Sequence, residues 1–141
     1  MTTIAYRDGV LAADTLATWG DSRDGRISKI VKRGPILACA GGAVAGGQRF
    51  LDWVRTGMQG DPPESTTGDG EWYGYIITPD DQFCLWGPRG WERCRGETLT
   101  LGSGSEYAKG AMSMGADAVR AVEVAILHDT KSGGPIEVLR R

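Results

Sequence analysis

The chain has 141 residues, a formal net charge of −2, 40% hydrophobic and 24% charged residues, one histidine and three cysteines, the size and balance of one soluble domain spanning residues 1–141. Basic residues cluster no further than Lys32-Arg33 and Arg140-Arg141, which excludes a nucleic-acid footprint; no apolar run suits a bilayer, and no secretory signal is present. The lone His128 excludes a site needing two histidines, and Cys39, Cys84 and Cys94 lack metal spacing, so the chain reads as a cytoplasmic protein with reduced thiols, no metal and no cofactor.

In chain order, Thr2–Tyr6 and Val10–Ala13 are predicted strands around Arg7-Asp8-Gly9, an Asp-Gly hairpin signal. Thr15–Arg26, with Gly20, Asp21, Ser22, Asp24 and Gly25, has loop composition. Ile27–Val31 is predicted as a strand with Ile27, Lys29 and Val31 on one face, an unusual place for a solvated lysine. Ile36–Ala40 reads as a strand buried on both faces and closed by Gly41-Gly42. A helix is predicted over Ala43–Thr56, with Phe50, Trp53 and Val54 at helical spacing and Gly57 as its stop. Gly46-Gly47 weaken that helix and signal close packing against another backbone. Gln59–Glu71 is a proline-rich linker.

A meander of strands is predicted next, at Trp72–Thr78, Gln82–Trp86, Trp91–Arg95 and Glu97–Leu101, with Trp72, Trp86 and Trp91 packed in or between sheets. Helices follow at Glu106–Met114, burying Tyr107, Ala111 and Met114, and at Ala116–His128, burying Val119, Val122, Ala125 and Ile126. Met112 and Met114 read as core filler. A polar loop, Asp129–Gly134, leads to a last strand at Ile136–Leu139. This order suits an α+β fold in which two antiparallel sheets lie face to face with helices outside.

Chemistry is available at the amino terminus. A small second residue is what a methionine aminopeptidase accepts, so Met1 is expected to be removed, leaving Thr2 with a free α-amine and a β-hydroxyl. Such an amine has a pKa of about 7.7–8.0, so a neutral fraction exists near neutrality to act as base for its own hydroxyl. Further along, Asp14, Lys29, Ser103 and Asp129 stand at ends of buried strands or helices. Singly, each has an ordinary reading, as a loop cap, an edge lysine, a turn residue and a surface acid.

The motifs fall in one order: Thr2-Thr3-Ile4; Asp14 after Val10–Ala13, followed by Thr15 and Thr18; Ile27-Ser28-Lys29-Ile30; Cys39-Ala40-Gly41-Gly42-Ala43; Gly102-Ser103-Gly104-Ser105 with Tyr107-Ala108; and Asp129-Thr130-Lys131-Ser132-Gly133-Gly134. In that order they resemble the proteasome β-subunit and HslV peptidases of the N-terminal-nucleophile hydrolase superfamily, in a short bacterial or phage-type form. The resemblance implies a four-layer αββα sandwich, with the second long helix of those families replaced by the linker at Gln59–Glu71. It implies a threonine-type endopeptidase with Thr2 as nucleophile, Lys29 beside its amine, Asp14 paired with Lys29, and Ser103, Asp129 and Ser132 orienting the amine. Gly41 would give the oxyanion N–H, and Ala17, Thr18, Ile27, Val31, Cys39 and Ala43 would line the substrate pocket. A polypeptide substrate, a homo-oligomeric ring and an ATP-dependent unfoldase partner come with the same resemblance. The alternatives are a non-peptidase amide hydrolase of the superfamily and an inactive shell or scaffold protein with the same fold.

Overall fold

The computed structural model describes residues 2–68 and 70–141, and the expected removal of Met1 falls outside them. The elements run β1 (Ile4–Arg7), β2 (Val10–Ala13), β3 (Leu16–Trp19), β4 (Ser22–Arg26), β5 (Ile30–Arg33), β6 (Ile36–Gly42), α1 (Val44–Arg55), β7 (Thr66–Thr67), β8 (Gly70–Ile77), β9 (Gln82–Gly87), β10 (Gly90–Arg95), β11 (Thr98–Leu101), α2 (Ser105–Ser113), α3 (Ala118–His128) and β12 (Glu137–Arg140). The class is α+β, as the sequence implies. Among the described residues no helix stands between α1 and β8, and no helix is long and apolar enough to cross a membrane.

Two compact units divide the chain, one from residues 2–28 and 97–140, the other from the described residues of 29–96 with Arg141. In the first, the sheet order is β11-β1-β2-β12, all antiparallel, with Ile4 opposite both Leu101 and Ala13. The β1–β2 turn holds Asp8 and Gly9 at φ 51° and 77°, which Asp-Gly tolerates. Small residues let α2 and α3 approach one face: Ala5 and Ala12 pack with Ala108, Met112, Ala118, Ala121, Val122 and Ala125. Alternation puts Ile4, Tyr6 and Leu11 on the other face, where they are buried too.

Three expectations for this unit are corrected. The loop at Thr15–Arg26 is a two-stranded ribbon, β3 against β4, turning at Gly20-Asp21 with a bulge at Ala17/Thr18; every residue of β4 is exposed, so no apolar alternation signals it. The fourth strand of the meander, β11, leaves β10 and pairs with β1 instead. On α2 the buried residues are Ala108 and Met112, while Tyr107 stacks on His128 and Met114 is 90% exposed, because the helix ends at Ser113 and Met114 is its C-cap.

The second unit's sheet has the order β10-β9-β8-β6-β5, with β7 on β8. One face packs under α1, where Val31, Ala38, Ala40, Trp72, Ile76 and Cys84 meet Phe50, Leu51 and Val54. Gly46 is explained by Trp72, whose Cδ1 would lie 2.0 Å from a Cβ there, so the close neighbour expected to be backbone is a side chain. Ile30, Leu37, Cys39, Ile77 and Phe83 lie on the opposite face and are also buried. The strand expected at Ile27–Val31 begins only at Ile30, opposite Cys39, so Ile27, Lys29 and Val31 do not share a strand face. The Ile27 N–H bonds Thr15 O at 2.9 Å instead.

Candidate functional site

In the first unit, two loops meet the start of β1. One, Gly102-Ser103-Gly104, joins β11 to α2; the other, Asp129–Gly134, joins α3 to β12. The Thr2 N–H donates to Ser103 Oγ at 3.3 Å, and Thr2 is 7% exposed. The Ser103 hydroxyl donates to Asp129 Oδ2 at 2.7 Å, and the Ser132 hydroxyl donates to the same oxygen at 2.5 Å. Thr3 Oγ1 lies 2.6 Å from Ser132 Oγ. Because the one Ser132 proton faces Asp129, Thr3 is the donor there. The Lys131 N–H completes the set at 3.1 Å from Asp129 Oδ1. Burial raises the Asp129 pKa, but the donations from Ser103, Ser132 and the Lys131 N–H outweigh it and hold the carboxyl below its ordinary value of 3.8.

Asp14, fully buried at the end of β2, grips the same loops from below through its two oxygens, taking the Thr3 N–H at 2.9 Å and the Gly133 N–H at 3.0 Å. Gly133 O accepts the N–H groups of Thr15 and Leu16 at 3.1 Å each, and the Lys131 ammonium reaches Gly20 O at 3.1 Å and Asp21 Oδ1 at 2.6 Å. The loop carrying Asp129 and Ser132 is therefore fixed to the β3–β4 ribbon. The glycines beside Ser103 are sterically required. A Cβ at Gly102 would lie 1.9 Å from Thr2 O, and one at Gly104 would lie 1.8 Å from Thr3 Oγ1.

Of the residues expected from the sequence, Thr2, Asp14, Ser103, Asp129 and Ser132 thus share one bonded network. Sequence reasoning missed Thr3, whose N–H and hydroxyl both enter it. The available signal was a threonine at a strand start, which, once buried, needs a hydroxyl partner. Among the described residues no group of three or more His, Cys, Asp or Glu could hold a metal.

In the second unit, Lys29 is 3% exposed just before β5, and its carbonyl accepts the Ala40 N–H at 3.0 Å. Gly41 was expected at a turn after the strand. It lies inside β6 opposite Tyr73, and the ladder runs on through Gly42↔Trp72 to the Ala43 N–H bond with Glu71 O at 2.9 Å. The Tyr73 ring covers Gly41, with the phenol oxygen 3.0 Å from where a Cβ would stand.

Val31 is in the core under α1, and Cys39 is 0% exposed, its thiol pushed up to about 12 by burial. Ala17, Thr18 and Ile27 in the first unit keep partial exposure, as does Ala43, the N-cap of α1, in the second.

No family model and no curated protein matches the chain. Solved structures do. Thiobacillus denitrificans BPH in complex with epoxomicin superposes with a TM-score of 0.67 at 20% identity, covering 98% of this chain and 96% of that one. Thiobacillus denitrificans BPH alone gives the same TM-score and identity over 98% and 95%. The chain shares the fold of BPH over nearly its whole length.

Proposed function

We propose that the chain is an N-terminal threonine peptidase with the four-layer αββα sandwich of the N-terminal-nucleophile hydrolase type. The observation that carries this reading is the network ending on the Thr2 nitrogen through Ser103 and Asp129. Burial of both faces of the main sheet in each unit, and the shared fold with an epoxomicin-bound protein, support it.

With Met1 removed, the Thr2 nitrogen becomes an α-amine beside Ser103 Oγ. Asp129 stays ionised at neutral pH, since its pKa is held low, and so orients Ser103 rather than taking a proton. The neutral amine is then the base. It takes the Thr2 hydroxyl proton, directly or through a water, as Oγ attacks the peptide carbonyl carbon and the carbonyl π pair moves to oxygen. Collapse of that adduct breaks the C–N bond, the amine's proton leaves with the peptide amine, and water hydrolyses the ester. Lys29 stands beside the amine in this reading, disfavours its charged form, and pairs with Asp14. Protection of other polypeptides from such a site calls for a homo-oligomeric ring fed by an unfoldase.

The test is peptide turnover together with intact mass. Loss of Met1, turnover of a fluorogenic peptide, and its abolition in Thr2→Ala with unchanged folding and assembly are expected. Lys29→Ala should be as severe as Thr2→Ala, and Lys32→Ala mild. Unchanged turnover in Thr2→Ala, or a retained Met1 in active protein, sinks the nucleophile assignment. A strict monomer by light scattering would instead turn the reading from sequestered protease to small-amide hydrolase.

A further inference from the structure

We infer that Lys131 is a positioning residue: it clips the turn of the β3–β4 ribbon to the Asp129–Gly134 loop, and so holds in place the carboxylate that orients the Thr2 nitrogen. The orienting role rests on the peptidase reading above; the clip does not. Every residue involved belongs to the first unit. Lys131 is bonded at both ends. Its N–H donates to Asp129 Oδ1 at 3.1 Å, while its ammonium reaches Gly20 O at 3.1 Å and Asp21 Oδ1 at 2.6 Å. Gly20 and Asp21 form the ribbon's turn, about 13 Å along the strand from Leu16. At Leu16 the loop is held by main chain, through Gly133 O and the N–H groups of Thr15 and Leu16. The loop and the ribbon are thus joined at two separated places, and the outer one is the Lys131 side chain. A two-stranded ribbon is marginal by itself. Among the described residues β3 and β4 pair only with each other, and every residue of β4 is exposed. A clip at the turn therefore has leverage over where the ribbon and loop lie.

The loop passes that constraint to Asp129. The Ser132 N–H donates to Asp129 O at 3.2 Å and closes a tight turn with Lys131 inside it. The Lys131 main chain cannot shift there without carrying Ser132 along. The Lys131 N–H and the Ser132 hydroxyl are two of the side-chain carboxylate's donors, one on each oxygen. With both in place, Oδ2 stays aimed at Ser103, the hydroxyl that meets the Thr2 nitrogen. Stability is not the main product of this clip, because the Asp21 side chain is fully exposed and such ion pairs contribute little. Alignment is a different matter, since small misplacements of reacting groups are costly in turnover.

The experiment compares Lys131→Met, Asp21→Ala and the double variant with wild type. Methionine keeps the side chain's reach and the backbone N–H but not the ammonium. The first readout is the titration of Asp129, followed in ¹⁵N-labelled protein by the amide shift of residue 131, which sits on that carboxylate. The two substitutions change charge in opposite senses. By charge alone, losing the Lys131 cation raises a nearby carboxyl and losing the Asp21 anion lowers it. A released clip loosens the donors on Asp129 and raises its titration in both. A rise in both is expected, smaller in Asp21→Ala because Gly20 O still holds Lys131. Opposite shifts, or none, overturn the clip. The second readout is turnover of a fluorogenic peptide. Lys131→Met should lower kcat by about tenfold with KM little changed and thermal unfolding near wild type. The double variant should lose no more than Lys131→Met alone. A wild-type kcat in Lys131→Met, or a raised KM with kcat kept, overturns the positioning role. If wild type turns over no peptide while Asp129 rises in both variants, the peptidase reading fails and the orienting role falls with it, leaving the clip standing.

Discussion

The loops around the start of β1 are built of bonded side chains, whereas the end of β6 is bare backbone. Around Thr3, hydroxyls and carboxylates from Thr3, Asp14, Ser103, Asp129 and Ser132 bond one another and the nearby main chain. At Gly41-Gly42 no side chain is present, and what the main chain can offer depends on which way each N–H points. The first region depends on residue identity. The second depends on strand register, and a change there acts through steric fit.

The largest expected effect tests the side-chain region at its base. Asp14 accepts two backbone N–H groups in a fully buried position. Asp14→Ala leaves both unsatisfied, at about 1–3 kcal/mol each, so urea denaturation should show a loss of about 2–6 kcal/mol in total. Asp14→Asn keeps one acceptor oxygen and should fall between wild type and Asp14→Ala. Equal stability of Asp14→Ala and wild type would show that the loops are held by something else.

A glycine pair comes next. At Gly102 an added Cβ meets the Thr2 carbonyl, a backbone atom, with φ at 96°; at Gly41 it meets the edge of the Tyr73 ring. Overpacking typically costs about 1–3 kcal/mol. Gly102→Ala should reach or exceed that and resist rescue, because the main chain cannot withdraw. Gly41→Ala should be rescued in stability by Tyr73→Leu. Failure of that rescue in thermal unfolding would mean that Gly41 is constrained by more than the ring.

The same contrast decides what could be read from the sequence. The Asp-Gly hairpin and the helix at Ala43–Thr56 were legible because local composition fixes them, whereas Ser103, Asp129 and Ser132 were picked out only by the order of their motifs and the family resemblance it carries. Lys29 was found by its oddity between apolar neighbours, and it is buried, though not on a strand. What was not legible depends on pairing between distant segments. The departure of β11 from the meander, the β3–β4 ribbon with its fully exposed second strand, and the length of β6 past Gly41 each follow from register. The face that Val31 takes, under α1, likewise follows from the pairing of β5 with β6 and not from its immediate neighbours.

A smaller effect is expected from pH. Asp129 has a pKa held below 3.8 in the folded protein, so the folded state favours the carboxylate. Its contribution to stability is complete above the ordinary carboxylate value and disappears as pH falls through the lower folded value. Wild type should therefore lose stability over Asp129→Asn as denaturation is repeated from about pH 6 down to about pH 3. Parallel curves for the two proteins would remove Asp129 from the acid-sensitive groups.

The smallest effect concerns thiols, and it tests the covered face of β6 directly. Cys39 is 0% exposed with its thiol pushed up to about 12, Cys84 is buried and Cys94 is exposed. Only the thiolate attacks a disulfide reagent. At pH 8 a thiol titrating near 12 has a thiolate fraction of roughly one in ten thousand, against roughly one in ten for an ordinary thiol. Access lowers the rate further, since a reagent must wait for β6 to open. A disulfide reagent at the same pH should thus meet one fast thiol, abolished by Cys94→Ser, with Cys39 reacting only at the rate of unfolding. Rapid labelling of Cys39 in folded Cys94→Ser protein would show that this face of β6 opens to small molecules. That opening would support the pocket position that the family resemblance implies for Cys39.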